Sequence, residues 1–142
     1  VGMPSSSFYS LTTPSVSEVT SFLEQLDEAQ ALATQVEGYL TEVLNLQTAN
    51  YSLVASDRGK LVAMNVGSVN TLTIPPDSSL DVPVGSWVNL VQLGTGNTTV
   101  AGGSGVTVNT AISNSLRTQY SIGSLVKTAA NTWLLMGDLK IT

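Results

Sequence analysis

The sequence of 142 residues contains no cysteine and no histidine. The absence of cysteine excludes disulfides, thiolate nucleophiles and zinc-thiolate sites. The absence of histidine removes the commonest general base and the commonest transition-metal ligand of proteins. We therefore predict that this chain is not an enzyme, and that it has no catalytic residues, no cofactor and no metal site.

Charged residues are also scarce, at 11% of the chain, although about a quarter is usual in soluble proteins. The net charge is −5, and residues 1–50 contain six acidic groups and no basic group. No basic patch suited to nucleic acid is present. No apolar run approaches the roughly 20 residues of a membrane helix. We expect neither a nucleic-acid partner nor membrane insertion.

The N-terminal segment, residues 1–14, contains two prolines and shows neither a helical nor a strand period. We interpret it as an extended N-terminal arm, with Phe8, Tyr9 and Leu11 as its large apolar side chains. One interpretation is a frayed terminus. The alternative is that these three side chains dock on a neighbouring subunit or on a larger particle.

A helix is predicted to follow Pro14. Ser15 and Glu18 fit a capping box, in which the Ser15 hydroxyl accepts from the Glu18 amide and the Glu18 carboxylate reaches back. We predict a helix over residues 16–47, within a helical segment of residues 15–50. Apolar or small residues recur along it in steps of three and four: Val19, Phe22, Leu26, Ala29, Ala33, Val36, Leu40 and Val43.

This spacing is a heptad pattern, and we call these eight residues the seam. Valine at the second core position of the heptad and additional leucines beside the seam favour three strands over two. We therefore predict a homotrimeric coiled-coil stalk. The alternative is an amphipathic helix that folds back on the rest of its own chain.

From residue 51 onward the apolar period changes to two, which indicates strands. Glycine at position 59 is suited to a turn with positive φ, and we expect Leu72 and Ile74 to point inward. A hairpin is expected at residues 129–131. Strands are predicted near residues 61–66, 69–74, 86–93, 98–101, 106–108, 117–128 and 132–136. The predicted class is α+β, with a helical stalk followed by a small all-β sandwich or barrel over residues 51–142.

Residues 70–74 (NTLTI) are faintly echoed by residues 97–100 (NTTV). Solenoid proteins need at least three repeats to bury a continuous core. Two copies are therefore too few for the sequence to predict a solenoid.

Four segments of the β half resemble a β-domain widespread in virion proteins of tailed bacteriophages. These are GKLVAMN (59–65), NTLTIPPDSS (70–79), VPVGSWVNLVQLGTG (82–96) and QYSIGSLVKTAANTWLLMGDL (119–139). The segments follow one another in matching order. The resemblance implies a domain that follows a helical stalk, assembles as a trimer and has no defined catalytic set.

The resemblance and the seam together predict a structural protein on the surface of a phage particle. We expect a short homotrimeric fibre, spike or capsid decoration protein that binds other virion proteins, of the capsid or the tail, through its N-terminal arm. The alternative is a tail-associated fibre that binds host surface glycan. A glycan-cleaving enzyme is a third interpretation, in which Asp77 and Asp81 act as paired carboxylates. Ordinary turn chemistry explains these two residues better.

Overall fold

The structure, a computed structural model, describes residues 15–41 and 43–141, and it describes residues 36–41 by their backbone alone. Helix α1 spans Val16–Thr41. The chain divides after Thr41 into two compact units, the first containing α1 and the second containing the β-strands.

The helix ends earlier than the sequence predicts, at Thr41 rather than at residue 47. Leu44–Gln47 form strand β1 rather than the last turns of α1. This segment pairs in parallel with a later strand, and the backbone N–H of Leu61 donates to the Val43 carbonyl at 2.8 Å. Pairing of this kind satisfies backbone groups that the heptad pattern alone does not consider, so tertiary contacts override the helical period. The boundary between the stalk and the β-domain therefore lies near residue 42 rather than at residue 50.

The described residues contain nine strands, which are short and regularly spaced. After β1 they are β2 (Tyr51–Ser52), β3 (Leu61–Met64), β4 (Asn70–Ile74), β5 (Trp87–Gln92), β6 (Thr98–Gly102), β7 (Thr107–Thr110), β8 (Ile122–Ala129) and β9 (Thr132–Gly137). Six form a sheet in the order β1-β3-β5-β8-β9-β7, and three form a second sheet in the order β2-β4-β6.

The first six strands alternate between the two sheets. Strands β1, β3 and β5 are parallel neighbours in one sheet, and β2, β4 and β6 are parallel neighbours in the other. Each successive pair of strands therefore forms one rung of a solenoid-like arrangement with three rungs. The sequence did not predict a solenoid, and this was wrong. The two similar segments, residues 70–74 and 97–100, lie on neighbouring parallel strands, β4 and β6.

The second and third rungs match at a constant offset along the chain. Leu61 pairs with Asn89 in one sheet and Asn70 pairs with Thr98 in the other, so the separation in sequence is identical in the two sheets. The first rung is shorter, because Leu44 pairs with Leu61, which is much nearer in sequence. The repeat is therefore one of backbone geometry, with little identity between the paired residues.

An antiparallel hairpin completes the larger sheet. Strand β8 pairs with β5 and with β9, and Asn131 in the connecting turn has a φ of 49°. This hairpin is at the predicted position. The two sheets share one core, which contains Val62, Met64 and Leu90 from the larger sheet and Leu72 and Ile74 from the smaller. The expected inward positions of Leu72 and Ile74 are confirmed, and so is a mostly β domain after the helix.

Candidate oligomerisation surface

The first turn of α1 carries the Ser15 half of the predicted capping box. The backbone N–H of Glu18 donates to Ser15 Oγ at 3.2 Å, and the N–H of Val19 donates to the Ser15 carbonyl at 3.1 Å. The first bond satisfies an amide that the start of a helix leaves without an intrahelical partner, and the second is the first intrahelical bond. The sequence therefore determines where α1 begins.

Every described side chain of α1, from residue 16 to residue 35, is exposed. The large apolar ones include Phe22 at 60%, Leu26 at 45% and Leu32 at 62% of their full exposure. Single exposed apolar side chains are ordinary, but a contiguous group of them marks an interaction surface. The apolar surface of α1 is such a group.

The seam residues lie on this surface as far as the structure describes them. Side chains three and four residues apart on a helix share one side, and five members of the seam have described, exposed side chains: Val19, Phe22, Leu26, Ala29 and Ala33. Val36 and Leu40 are in α1, but their side chains are outside the described part. Val43 is 52% exposed and directly precedes β1, so it lies beyond the end of the helix.

The residues proposed for docking on a particle, Phe8, Tyr9 and Leu11, lie outside the described residues. The extended arm of residues 1–14 therefore remains a prediction from the sequence.

The charges beside the apolar surface of α1 are all acidic. Its acidic neighbours Glu24, Asp27 and Glu28 are exposed and occupy outer positions of the heptad. No lysine or arginine occurs in residues 1–50, so ion pairs between copies of this segment cannot select the partner. Burial of apolar side chains is the interaction that remains available to it.

The aromatic residues of the β-domain do not form one stacking platform. Trp133 is 1% exposed and belongs to the core. Trp87 is 46% exposed. It pairs with Val126 on β8, which in turn pairs with Leu134 on β9, so Trp87 lies in the same row as Leu134. Leu134 is the residue that follows Trp133. Because successive residues of a strand point to opposite faces, the two tryptophans lie on opposite faces of the larger sheet. Tyr120 is exposed at 68%.

Asp77 is engaged in an ion pair with a buried lysine. Its Oδ1 lies 2.8 Å from Nζ of Lys127, and its Oδ2 accepts from the backbone N–H of Asn131 at 3.1 Å. The hydrogen bond from Lys127 is the main cause that lowers the pKa of Asp77 below its ordinary value of 3.8. A general acid needs a raised pKa, and Asp81 is exposed. These interactions are those of a structural loop contact between Asp77 and the β8–β9 hairpin.

Glycines 94 and 96 lie between β5 and β6, and both lie directly against backbone of the preceding rung. A Cβ at Gly94 would overlap the backbone of Val66, and one at Gly96 would overlap the backbone of Ser68. The separation in sequence between each glycine and the residue that it faces equals the separation between paired residues of the second and third rungs, such as Leu61 and Asn89. The close approach of two rungs therefore requires glycine at these positions.

Sequence reasoning missed two polar clusters, one within the first rung and one that joins the second rung to the third. Asp57 is 1% exposed and accepts hydrogen bonds from Asn45 Nδ2, the Tyr51 hydroxyl and the Val54 N–H, at 2.7, 2.7 and 2.9 Å. Asn70, 2% exposed, accepts from the Thr98 hydroxyl at 2.7 Å. No sequence motif signals either cluster, because their members come from separate elements.

Sequence reasoning also missed the face of the larger sheet that is turned away from the core, where several apolar side chains are exposed. The one available signal was residues 86–93, which are apolar on both faces.

No protein-family profile matches this sequence, and no curated protein is significantly similar to it. Within the described residues, no group of three or more acidic side chains is placed to hold a metal ion. No helix in the described ranges is long and apolar enough to cross a membrane.

Proposed function

We propose that this chain is a structural component of a bacteriophage particle, in which three copies bundle their N-terminal helices into a short stalk. The observation that carries the proposal is the apolar surface of α1, which is exposed along the whole described part of the helix. The β-domain has a buried core of its own, whereas α1 has apolar side chains that require a partner. The pattern of residues 59–139, which resembles the phage β-domain, supports the same conclusion.

An isolated helix of this length is marginally stable in water. Burying a large apolar side chain contributes about 1.5–3 kcal/mol. Association of the seam therefore supplies the free energy that the helix lacks alone. Three chains suit the wide apolar surface better than two, since leucines flank the seam where a two-stranded coil carries charges.

In this proposal the function is mechanical and adhesive. The product is a short fibre, spike or decoration protein on the surface of the capsid, with residues 1–14 docked on the particle and the β-domains carried outward. A tail-associated fibre that binds host glycan is the second candidate, and the exposure of Trp87 and Tyr120 favours it. Glycan-array binding by the intact protein, lost in a Trp87→Ala variant, distinguishes the second candidate from the first.

The experiment that tests the trimer is sedimentation equilibrium of the full chain at micromolar concentration. We expect three times the chain mass of 14.8 kDa for the wild type. The Leu26→Asp variant places a carboxylate in the seam, and we expect it to sediment as a monomer. The Ala31→Asp variant carries the same added charge at an outer heptad position and should remain trimeric.

The control is stringent, because replacing alanine by aspartate costs more helix propensity than replacing leucine. A wild-type mass of one chain, with the helix still present by circular dichroism, would contradict the proposal. The docking role of the arm is tested separately, by deleting residues 1–14 and measuring occupancy on particles. Full occupancy of the truncated protein would reject that role.

A further inference from the structure

The larger sheet has one face in the core and one largely apolar face that is partly exposed. We call the second the outer face. Leu46 pairs with Ala63, Ala63 with Val91, and Val91 with Ile122, so these side chains form one row across four strands. Leu46 and Ile122, at the two ends of the row, are 51% and 52% exposed. Ala63 and Val91, between them, are 1% and 8% exposed, although neither belongs to the core cluster, so the exposed part of this row is its two ends.

A second row runs parallel to the first, from Leu44 through Leu61, Asn89 and Ser124 to Met136. Leu44 and Met136, at its ends, are 54% and 43% exposed. The two polar residues in its centre are bonded to each other, because the Ser124 hydroxyl donates to Asn89 Oδ1 at 2.6 Å. The N–H groups of the Asn89 amide are the donors of this pair that a packed surface must still supply with acceptors.

The outer face carries no charge on any of the six strands. Their single charged residue is Lys127, which is 5% exposed on the core side and bonded to Val82 and Asp77. The chain as a whole has a net charge of −5. An uncharged surface is the part of an acidic protein that can meet an identical copy without like-charge repulsion.

Chain connectivity indicates which partner this face meets. Strand β1 begins at Leu44, and α1 ends at Thr41. Three residues span at most about 11 Å. If three helices associate along the seam, the three β1 strands must begin close to the point where the chains converge, and Leu44 and Leu46 of the outer face are on those strands.

We propose that the outer face of the larger sheet packs against the β-domains of the other two copies, so that the three β-domains associate with one another. This inference rests on the proposed trimer and specifies its second contact. The occupant is a further copy of this chain rather than another virion protein.

The test uses thiol reactivity, because the wild-type chain contains no cysteine and one introduced thiol gives an unambiguous signal. Ile122→Cys places the thiol on the outer face, and Val69→Cys places it at a residue that is 79% exposed and precedes β4 in the smaller sheet. Both are labelled with a maleimide in the intact protein under native conditions. We expect the thiol at position 122 to react at least tenfold more slowly than the thiol at position 69.

The labelling rates at positions 122 and 69 are then measured in chains that also carry Leu26→Asp. In these monomeric chains the rate at position 122 should approach the rate at position 69. Met136→Cys is a second probe of the outer face, used where Ile122→Cys does not give the wild-type circular dichroism spectrum. Slow labelling at 136 in the trimer supports the proposal in the same way.

The outcomes separate this inference from the proposed function. A trimeric mass with similar labelling rates at positions 122 and 69 overturns the packing of the outer face and leaves the stalk intact. A monomeric mass for the wild type overturns both. Fast labelling of position 122 in the free trimer, with protection only on assembled particles, assigns the face to another virion protein and also overturns the proposal.

Discussion

At the scale of single residues, Asp57 is the polar group on which the first rung depends. Its carboxylate is buried and accepts three hydrogen bonds, from Asn45 on β1, Tyr51 on β2 and the backbone of Val54. Burial, followed by the hydrogen bond to Asp57, raises the pKa of Tyr51 to about 12. The tyrosine therefore remains a neutral donor, and one acidic side chain joins two strands of different sheets.

Replacing this carboxylate is expected to destabilise the β-domain. Asp57→Asn keeps one acceptor oxygen and replaces the other with an NH₂ group. That NH₂ group cannot accept a hydrogen bond from the donors that now surround the carboxylate, which are Asn45 Nδ2, the Tyr51 hydroxyl and the Val54 N–H. Leaving buried donors without an acceptor costs about 1–3 kcal/mol. The free energy of unfolding from urea titration measures the loss.

The matched control is Asp81→Asn, which makes the same charge change at an exposed position. It should change the free energy of unfolding by less than about 0.5 kcal/mol. Equal effects of the two variants would show that the cluster around Asp57 contributes nothing beyond its charge.

The ion pair of Asp77 and Lys127 predicts a dependence of stability on acid pH. The pKa of Asp77 is lowered in the folded state below 3.8, mainly by the hydrogen bond from Lys127. A lowered pKa means that the unfolded chain takes up the proton first. The stabilisation is therefore present above pH 3.8 and is lost as the pH falls through the folded-state pKa.

The comparison is between the wild type and Lys127→Met, which fills the buried site with an apolar chain of similar length. Urea titrations at pH 7, 4 and 2.5 should show a smaller loss of stability with acid in the variant. Parallel curves for the two proteins would contradict a role for this pair in acid stability.

At the scale of structural elements, the stacking of rungs depends on glycine. The turn after β5 passes directly over the turn after β3, and Gly96 lies against the backbone of Ser68. The backbone N–H of Gly96 also donates to the Val66 carbonyl at 2.9 Å. Two backbones approach here more closely than any side chain would permit.

Gly96→Ala is therefore expected to lower the free energy of unfolding by about 2–4 kcal/mol, because the added methyl group must displace backbone. Gly67→Ala is the control, since a Cβ there meets nothing within 4 Å. It should be neutral, or stabilising by about 0.4–1 kcal/mol through the unfolded chain. Thermal unfolding of both variants measures the contrast, and similar losses would mean that rung spacing is not the constraint.

At the scale of the whole molecule, the proposed trimer makes the stability of the helix depend on concentration. A helix held by association unfolds at a midpoint that rises with protein concentration, whereas a helix that is stable alone does not. We expect tenfold dilution to lower the thermal midpoint followed by circular dichroism in the far ultraviolet. A midpoint that is independent of concentration over two decades would contradict the proposed stalk.

The sequence alone determined the local features of this protein. The start of α1 follows from the Ser15 cap, and the turn at Gly59, with a φ of 77°, follows from its glycine. The change of apolar period predicted the strands, and alternation placed Leu72 and Ile74 in the core. These features depend on residues within a few positions of each other, so one stretch of sequence contains the whole signal.

Only the tertiary structure decided which strands became neighbours. The sequence predicts residues 44–47 as the end of the helix, yet they form β1 because a parallel partner at residues 61–64 satisfies their backbone. The constant offset between the second and third rungs left almost no trace in the sequence, because parallel pairing is made by backbone hydrogen bonds that most side chains permit. Side chains restrict it where backbones nearly touch, at Gly94 and Gly96, and where buried polar groups such as Asp57 and Asn70 must find partners across the fold.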